Sequence, residues 1–588
     1  MSRAVLAGPS AASSAHGARP VHDLRGAMPF APLAFFLLAA FVLPVLTVLT
    51  LSVWTPQTGW QAAPLERLFT APVYRTVLWR TLHIAAVTTA LSVLGALPIA
   101  LLWHRLTGRA QQALYLLVLL PLWTSFLVKS FAWMVLLGKN GAINALLTAL
   151  TGTPAAEPLL FNFGAVIVGM VHGLMPFAVL TMLPVLQAID ARLPQAAATL
   201  GARPAEAFVR VTLPLLMPGV AAAALIVFVT ALGFFIVPAL LGGPRQTMVA
   251  NVIIDLVQEL LNWPLAAAAS AVMLALVALL FWLFVRAFGI ETLVGRGRVQ
   301  QRLQVVAAAP SRVAALRRRF WLAFDAVARH LPGRPLRHGL DALTLAVVAF
   351  LALPALFLVP VSFSTSGIVD WPPQFFSTRW YEALAAPAWR GAAWRSFSVA
   401  AATGVLSLAL AYPAAVWFVR HAQRARVPAL VFMIAPMVVP RIVIAIGLFY
   451  LFARIGLVGS WLGLVLGHAV IALPFVVTTL IAVVQGYDER LDQAAAVCGA
   501  APPRRLLRIT LPLLAPGLLS AFLFAFVTSL DELTIALFVT GGLSATLPKQ
   551  MWDEALLRVS PTLAAASTVL FVVMSATVLA AQALRRRP

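Results

Sequence analysis

Residues 195–219 read QAAATLGARPAEAFVRVTLPLLMPG and residues 493–517 read QAAAVCGAAPPRRLLRITLPLLAPG, two segments 298 positions apart that agree at 15 of 25 places. Gly201 pairs with Gly499, Pro204 with Pro502, Arg210 with Arg508, and Leu213-Pro214 with Leu511-Pro512. Upstream, Met175–Phe177 (MPF) pairs with Leu473–Phe475 (LPF), and Asp190 and Arg192 pair with Asp488 and Arg490. Agreement this dense makes the chain two copies of one unit, each carrying a helix followed by the same loop.

Composition says where those units live. The 588 residues are 62% hydrophobic and 10% charged, against about 25% charged in ordinary soluble proteins. Crossing about 30 Å of hydrocarbon takes roughly 20 apolar residues in a helix. Such runs occur near 29–53, 82–104, 112–137, 164–188, 216–242 and 265–289, and again near 340–363, 396–419, 427–453, 461–485, 513–541 and 562–584. They are long and continuously apolar, which argues helices rather than barrel strands that alternate over about ten residues. The expectation is an all-α integral membrane protein of twelve transmembrane helices in two tandem six-helix halves. Its parts are a tail at 1–28, a first six-helix domain at 29–289, a linker at 290–338 and a second domain at 339–588.

The net charge of +23 is first a topology signal. Of the 42 Lys and Arg residues, 29 fall on one side of this span assignment, in the N-terminal tail, the loops at Arg105, Arg192, Arg424 and Arg504, the linker, and Arg585-Arg586-Arg587. The positive-inside rule then places both termini and the linker in the cytoplasm. No basic stripe is interleaved with aromatics in a soluble module, so the charge argues against a nucleic-acid partner and for contact with membrane lipid. The linker, with RGRVQQRLQ and RVAALRRRF, suits a cytoplasmic or surface-lying amphipathic segment. The first apolar run is too long for a secretory signal and reads as an uncleaved anchor. An even number of spans per half makes the duplication parallel, about an axis near the membrane normal. Gly-Gly pairs at Gly242-Gly243 and Gly541-Gly542 are expected to stop the fifth span of each half. Cys498 is the single cysteine, which excludes a disulfide framework and a thiolate metal cluster. No cofactor is implied.

The paired loops resemble the cytoplasmic Glu-Ala-Ala loop of ABC importer permeases, whose pattern is EAA, three residues, Gly, nine residues, Ile, one residue, Leu-Pro. The matching positions are Gln195, Ala196, Ala197, Gly201, Val211, Leu213 and Pro214, then Gln493, Ala494, Ala495, Gly499, Ile509, Leu511 and Pro512. Gln stands for Glu in both copies, and Val for Ile once. The Gln keeps a hydrogen-bonding side chain of similar length without the charge. The resemblance implies the type I ABC importer permease fold and a location in the bacterial inner membrane. It implies two cytosolic ABC ATPase subunits docked on these loops, and a periplasmic or lipid-anchored binding protein that delivers cargo from outside. In physical terms, the alanines permit close docking, Gly permits a change of direction, and Pro is expected to start the next span. The chain has no GxxxxGK[ST] phosphate loop, so the ATPase site is expected in a separate chain.

Within the importers, 122–147 (LWTSFLVKSFAWMVLLGKNGAINALL) and 231–253 (ALGFFIVPALLGGPRQTMVANVI) resemble one chain of the polyamine (spermidine and putrescine) permease pair. Segments 435–459 (APMVVPRIVIAIGLFYLFARIGLVG) and 529–542 (SLDELTIALFVTGG) resemble the other, as if the two were fused. Fused permeases for ferric iron, thiamine and aminophosphonates are the alternatives. Charges within spans each cost about 2.5–3.5 kcal/mol on insertion scales and usually face a cavity or a partner. Lys129, Arg441, Asp531 and Glu532 are therefore candidates for the substrate pathway. The two acids, placed mid-run in the eleventh span, suit an ammonium group, with Trp123, Trp133 and Tyr450 as aromatic faces for the same cation. The competing reading is that Asp531 or Glu532 neutralises Arg441, and two basic residues nearby keep an anionic or zwitterionic cargo open. His172 and His468 precede Pro176 and Pro474 at different spacings and read as polar helix packing, and no cluster has metal-ligand spacing. An ion-driven carrier with twelve spans has no need of a recurrent docking loop. An enzyme needs a carboxylate dyad or Ser-His arrangement that is not legible here.

Overall fold

The computed structural model describes residues 28–585, apart from Gln57, Trp123, 154–157, Ala191, Arg203, 289–332, 368–370, Gln374, 423–424, 542–543 and 558–559. Almost all of the N-terminal tail and most of the linker lie outside the described residues. In the first half the principal helices are α1 (Met28–Leu51), α2 (Pro72–Arg105), α3 (Gly108–Leu122), α4 (Phe126–Leu137), α5 (Phe163–Gln187), α6 (Arg192–Thr199), α7 (Leu213–Leu232), α8 (Ile236–Leu241), α9 (Val249–Gln258) and α10 (Trp263–Phe288). The same series follows as α11 (Gly333–Ser362), α12 (Pro387–Arg420), α13 (Arg426–Val438), α14 (Arg441–Ile455), α15 (Trp461–Gln485), α16 (Arg490–Val497), α17 (Leu511–Leu530), α18 (Thr534–Val539), α19 (Leu547–Leu557) and α20 (Pro561–Arg585). Each helix in the second series answers the one ten places earlier.

Ten helices among the described residues are long and apolar enough to cross a membrane, or eleven if the bent pair α13 and α14 is one span. The breaks inside the expected runs have physical causes. The ninth run turns by 90° between Val438 and Arg441: Val439 is forced extended by the proline that follows it, and Pro440 is itself extended. At the equivalent place in the third run, Ser125 is extended and its hydroxyl accepts the N–H of Leu127, starting α4 afresh. The fifth runs stop at Leu232 and Leu530, and short helices α8 and α18 resume after breaks. α2 and α12 are 34 residues each, about 51 Å at helical rise, longer than the roughly 30 Å that the hydrocarbon requires.

Each half is built on three mutually packed helices, α2, α5 and α7 in one and α12, α15 and α17 in the other. Lipid tails are as apolar as leucine, so such packing relies on close van der Waals fit at small residues. The quoted repeats end in Gly219 and Gly517 for this reason. A Cβ at Gly219 would lie 3.0 Å from Val185, and one at Gly517 would lie 2.4 Å from Val483. The first helix of each half packs against the other half: α1 against α12, α14 and α15, and α11 against α2, α3 and α4. A Cβ on Gly447 of α14 would come 2.7 Å from the Pro44 carbonyl oxygen of α1. The short helices obey the duplication as well: Thr81 of α2 accepts the N–H of Val249 at 2.9 Å, and Ser396 of α12 accepts that of Leu547 at 2.7 Å.

Candidate functional site

Two groups of residues carry chemistry. The first is the loop pair. After α5 and α15, Asp190 and Asp488 accept the backbone N–H of Arg192 and Arg490 at 2.9 and 3.0 Å, starting α6 and α16. Both helices end in a Schellman motif, where the first N–H beyond the cap reaches the carbonyl three residues back and the next reaches five back. Gly201 donates to Ala198 and Ala202 to Ala197, each at 3.0 Å; Gly499 donates to Ala496 and Ala500 to Ala495, each at 3.0 Å. The glycines carry φ of +87° and +79°, and no atom outside their own neighbourhood lies within 4 Å of a built Cβ. Backbone conformation, rather than space, therefore demands glycine here.

Beyond the glycines the chain re-enters helix at Pro204 and Pro502, the position where a missing N–H is harmless. Pro214 and Pro512 do not start the next span, contrary to the sequence reading. They sit after a π-helical turn (Phe208–Thr212 and Leu506–Thr510) that widens the helix and runs straight on into α7 and α17. The wide turn relieves the clash and the missing donor of an internal proline. Val211 and Ile509 lie within these turns, and Leu213 and Leu511 follow them, all half-buried. Gln195, Ala196, Gln493 and Ala494 are exposed, and Ala197 and Ala495 are half-buried. Leu200 and Val497, at the tips, are each 89% exposed.

The second loop has a polar anchor. Arg420, at the end of α12, reaches Glu489 at 2.7 Å and Asp492 at 3.6 Å. Asp492 also accepts from the hydroxyls of Tyr487 and Thr510, both at 2.9 Å. Partial burial, hydrogen bonding to Asp492 and its negative charge hold the Tyr487 phenol above its usual range, which keeps it a donor. Sequence reasoning missed this anchor because its members are scattered over 420–510.

The second group is the set of charges in the membrane. Asp531 and Glu532 lie in the break between α17 and α18, not within a continuous span. Glu532 is 1% exposed; its carboxylate accepts the N–H of Ile535 at 2.9 Å and meets Arg441 at 3.4 Å. A carboxylate at the start of a helix satisfies an orphan donor and suits the dipole. Asp531 ends α17, where a negative charge is unfavourable unless balanced, and it faces Ser125, Lys129 and Arg441 as well as Glu532. Lys129 belongs to α4 of the other half; its Nζ donates to the Pro121 carbonyl at 3.0 Å and lies 3.7 Å from the Phe126 ring centroid. The four predicted charges are thus brought together across the boundary between halves.

The aromatic candidates are not grouped with them in the same way. Trp133 packs edge-on to His172, 5.8 Å between centroids, and against Phe350 at 5.4 Å. Tyr450 packs on Trp263 at 5.4 Å and takes the Arg454 guanidinium on its ring and hydroxyl. Trp123 lies outside the described residues. His172 bonds the Leu351 carbonyl of α11 at 3.1 Å, and His468 bonds the Ser529 hydroxyl at 2.7 Å, so both are engaged in helix packing. Ser125, which faces Asp531, carried no sequence signal beyond being a polar residue beside an apolar run.

The profile of the family described as binding-protein-dependent transport system inner membrane component matches residues 404–587. The spermidine/putrescine transport system permease protein PotB of Haemophilus influenzae is 35% identical over 267 residues, 44% of this chain and 92% of the relative. The corresponding protein PotC of Escherichia coli is 32% identical over 259 residues, 43% of this chain and 95% of its own. The inner membrane ABC transporter permease protein YdcU of Escherichia coli is 35% identical over 240 residues, 39% and 75% of the two chains. This chain is about twice as long as such relatives, consistent with a fusion of two permease units.

Proposed function

The chain belongs to the spermidine/putrescine permease group of binding-protein-dependent transport inner membrane components, and from that premise we propose that it is the whole membrane path of a polyamine ABC importer. Cargo arrives from a periplasmic binding protein, crosses by alternating access, and is driven inward by two separate ATPase subunits. The observation that carries this reading is the loop pair. Both loops have one backbone, a Schellman-closed helix joined to a π-turned span, and both present apolar tips at Leu200 and Val497 to solvent. The shared backbone gives a partner two seats of the same shape, one on each half of the parallel duplication. The basic loops and linker support a cytoplasmic side for those seats and for both termini.

The charge group supports a cationic cargo. Asp531 stands at the junction of the halves, where an ammonium has a carboxylate to approach, while Lys129 of the other half balances that carboxylate when no cargo is present. Uptake of labelled spermidine or putrescine by the complex reconstituted with its ATPase and binding protein tests the assignment. Competition by either polyamine but not by thiamine, ferric iron or an aminophosphonate is expected. Uptake blocked by one of those three instead would reassign the cargo, and labelling that puts 195–214 and 493–512 on opposite faces would end the importer reading.

A further inference from the structure

In each half, the break of the third run faces the break of the fifth, bringing α4 against α8 and α14 against α18. In the first half the contact is aromatic: Phe126 and Phe234 meet edge to face, centroids 4.9 Å apart at 71°. The duplication relates residues through the third run by an offset of 315, as Trp79-Arg80 to Trp394-Arg395, and from the fourth run onward by 298. Phe126 therefore corresponds to Arg441, the first residue of its helix in each half, and Phe234 corresponds to Glu532. Those two are the partners of the 3.4 Å ion pair. The neighbouring contact between halves follows the same relation. Gly233 sits against Pro440, 3.1 Å from a built Cβ, and their counterparts are Asp531 and Ser125, which also face each other.

We propose that Arg441 and Glu532 are a positioning pair, the ionic equivalent of Phe126 and Phe234, which pins the two breaks of the second half together so that α14 and α18 move as one body during transport. They are not cargo contacts. Three observations converge on this. The aromatic pair occupies the same place without any charge, so the place itself requires adhesion and not ion recognition. Glu532 is buried and already engaged twice, by the Ile535 N–H and by Arg441. Asp531, one residue away, is the acid directed across the boundary between halves, so the two acids have separate tasks.

The proposal rests on the transport reading for its uptake arm and is independent of it in its stability arm. In the purified full chain, Arg441→Met and Glu532→Gln should each lower the melting temperature, and the double variant should melt no lower than the worse single, because one interaction is removed in all three. Additive losses would overturn the pairing. In reconstituted complex, each single variant should cut maximal polyamine uptake about tenfold with half-saturating cargo unchanged. The double variant Arg441→Phe with Glu532→Phe, which copies the first half, should return uptake to within about threefold of the unsubstituted protein. A tenfold rise in half-saturating cargo, or a double variant no better than the singles, would overturn it. If the phenylalanine pair does not accumulate in the membrane, a Cys498→Ser background carrying Arg441→Cys and Glu532→Cys decides. Bridging the two thiols with a reducible bifunctional thiol reagent as long as the ion pair it replaces should leave uptake intact if the breaks move together, and uptake lost on bridging and regained on reduction would overturn the proposal. Absence of uptake by the unsubstituted complex would count against the transport reading alone.

Discussion

The two repeated loops share a backbone and differ in how they are held. α6 and α16 begin on an aspartate, close on a glycine in the left-handed region and lead through a π turn into a long helix. Around α16, however, Arg420, Glu489, Asp492, Tyr487 and Thr510 form one connected polar anchor to α12. At the corresponding first-half positions stand Arg105, Ala191, Pro194, Ile189 and Thr212; the arginine and threonine persist, but both carboxylates and the phenol are gone. Shape and stiffness are thus specified by different residues. The motif sets where the loop points, while the anchor ties the second loop to the 34-residue helix behind.

This contrast can be broken first at what the loops share. Gly201→Val with Gly499→Val puts β-branched side chains at left-handed positions, a strain of about 1–2 kcal/mol each, with no steric clash to unfold the bundle. Uptake should fall by at least tenfold, and capture of the ATPase should weaken, while membrane levels hold; undiminished coupled uptake would show that the loop shape is dispensable. Next comes the feature that differs. Asp492→Ala removes the acceptor of two hydroxyls and one guanidinium, so the uptake obtained per ATP hydrolysed should drop by about threefold to tenfold. Pro194→Ala at the matching place should leave that ratio unchanged. Equal responses would mean that the anchor transmits nothing. The smallest effect is expected for Arg420→Met against Arg105→Met. Arg420 and Glu489 are partly exposed, 28% and 50%, and such pairs contribute about 0–1 kcal/mol. A melting-temperature loss confined to the Arg420 variant, shrinking in high salt, would sharpen the contrast.

The loops were legible in the sequence because their conformation is encoded locally: a Gly with no alternative at its φ, an aspartate two residues before the helix, prolines at fixed distance. The twelve apolar runs were legible for a similar reason, as length and hydropathy are summed over a window. Breaks inside a run escape such a window. The residues around Ser125, Gly233, Pro440 and Asp531 are interrupted in the backbone but continuous in apolarity, so Asp531 and Glu532 read as mid-helix charges when they occupy a helix end and a helix start. The equivalence of Phe126 with Arg441 was hidden by the change of offset from 315 to 298, since 298 alone sets Arg441 against Ile143. Pro214 and Pro512 misled because a π turn leaves no mark on composition. Trp133 and Tyr450 were expected to share one cation, yet Trp133 packs on His172 and Phe350, whereas Tyr450 packs on Trp263 and Arg454. Which side chains meet across helices is a tertiary fact.

The exchange of first helices between halves has a consequence for biosynthesis. α1 emerges from the ribosome early, but its seat on α14, where the Pro44 carbonyl meets Gly447, is about 400 residues further along the message. At about 5–20 residues per second, that helix waits on the order of 20–80 s in the bilayer without its partner. During that interval α10, made midway and packed on α1 in the finished protein, is the neighbour that can shelter it from quality-control proteases. Joining both halves in a single polypeptide turns the late arrival of α14 from a search among separate subunits into a tethered encounter.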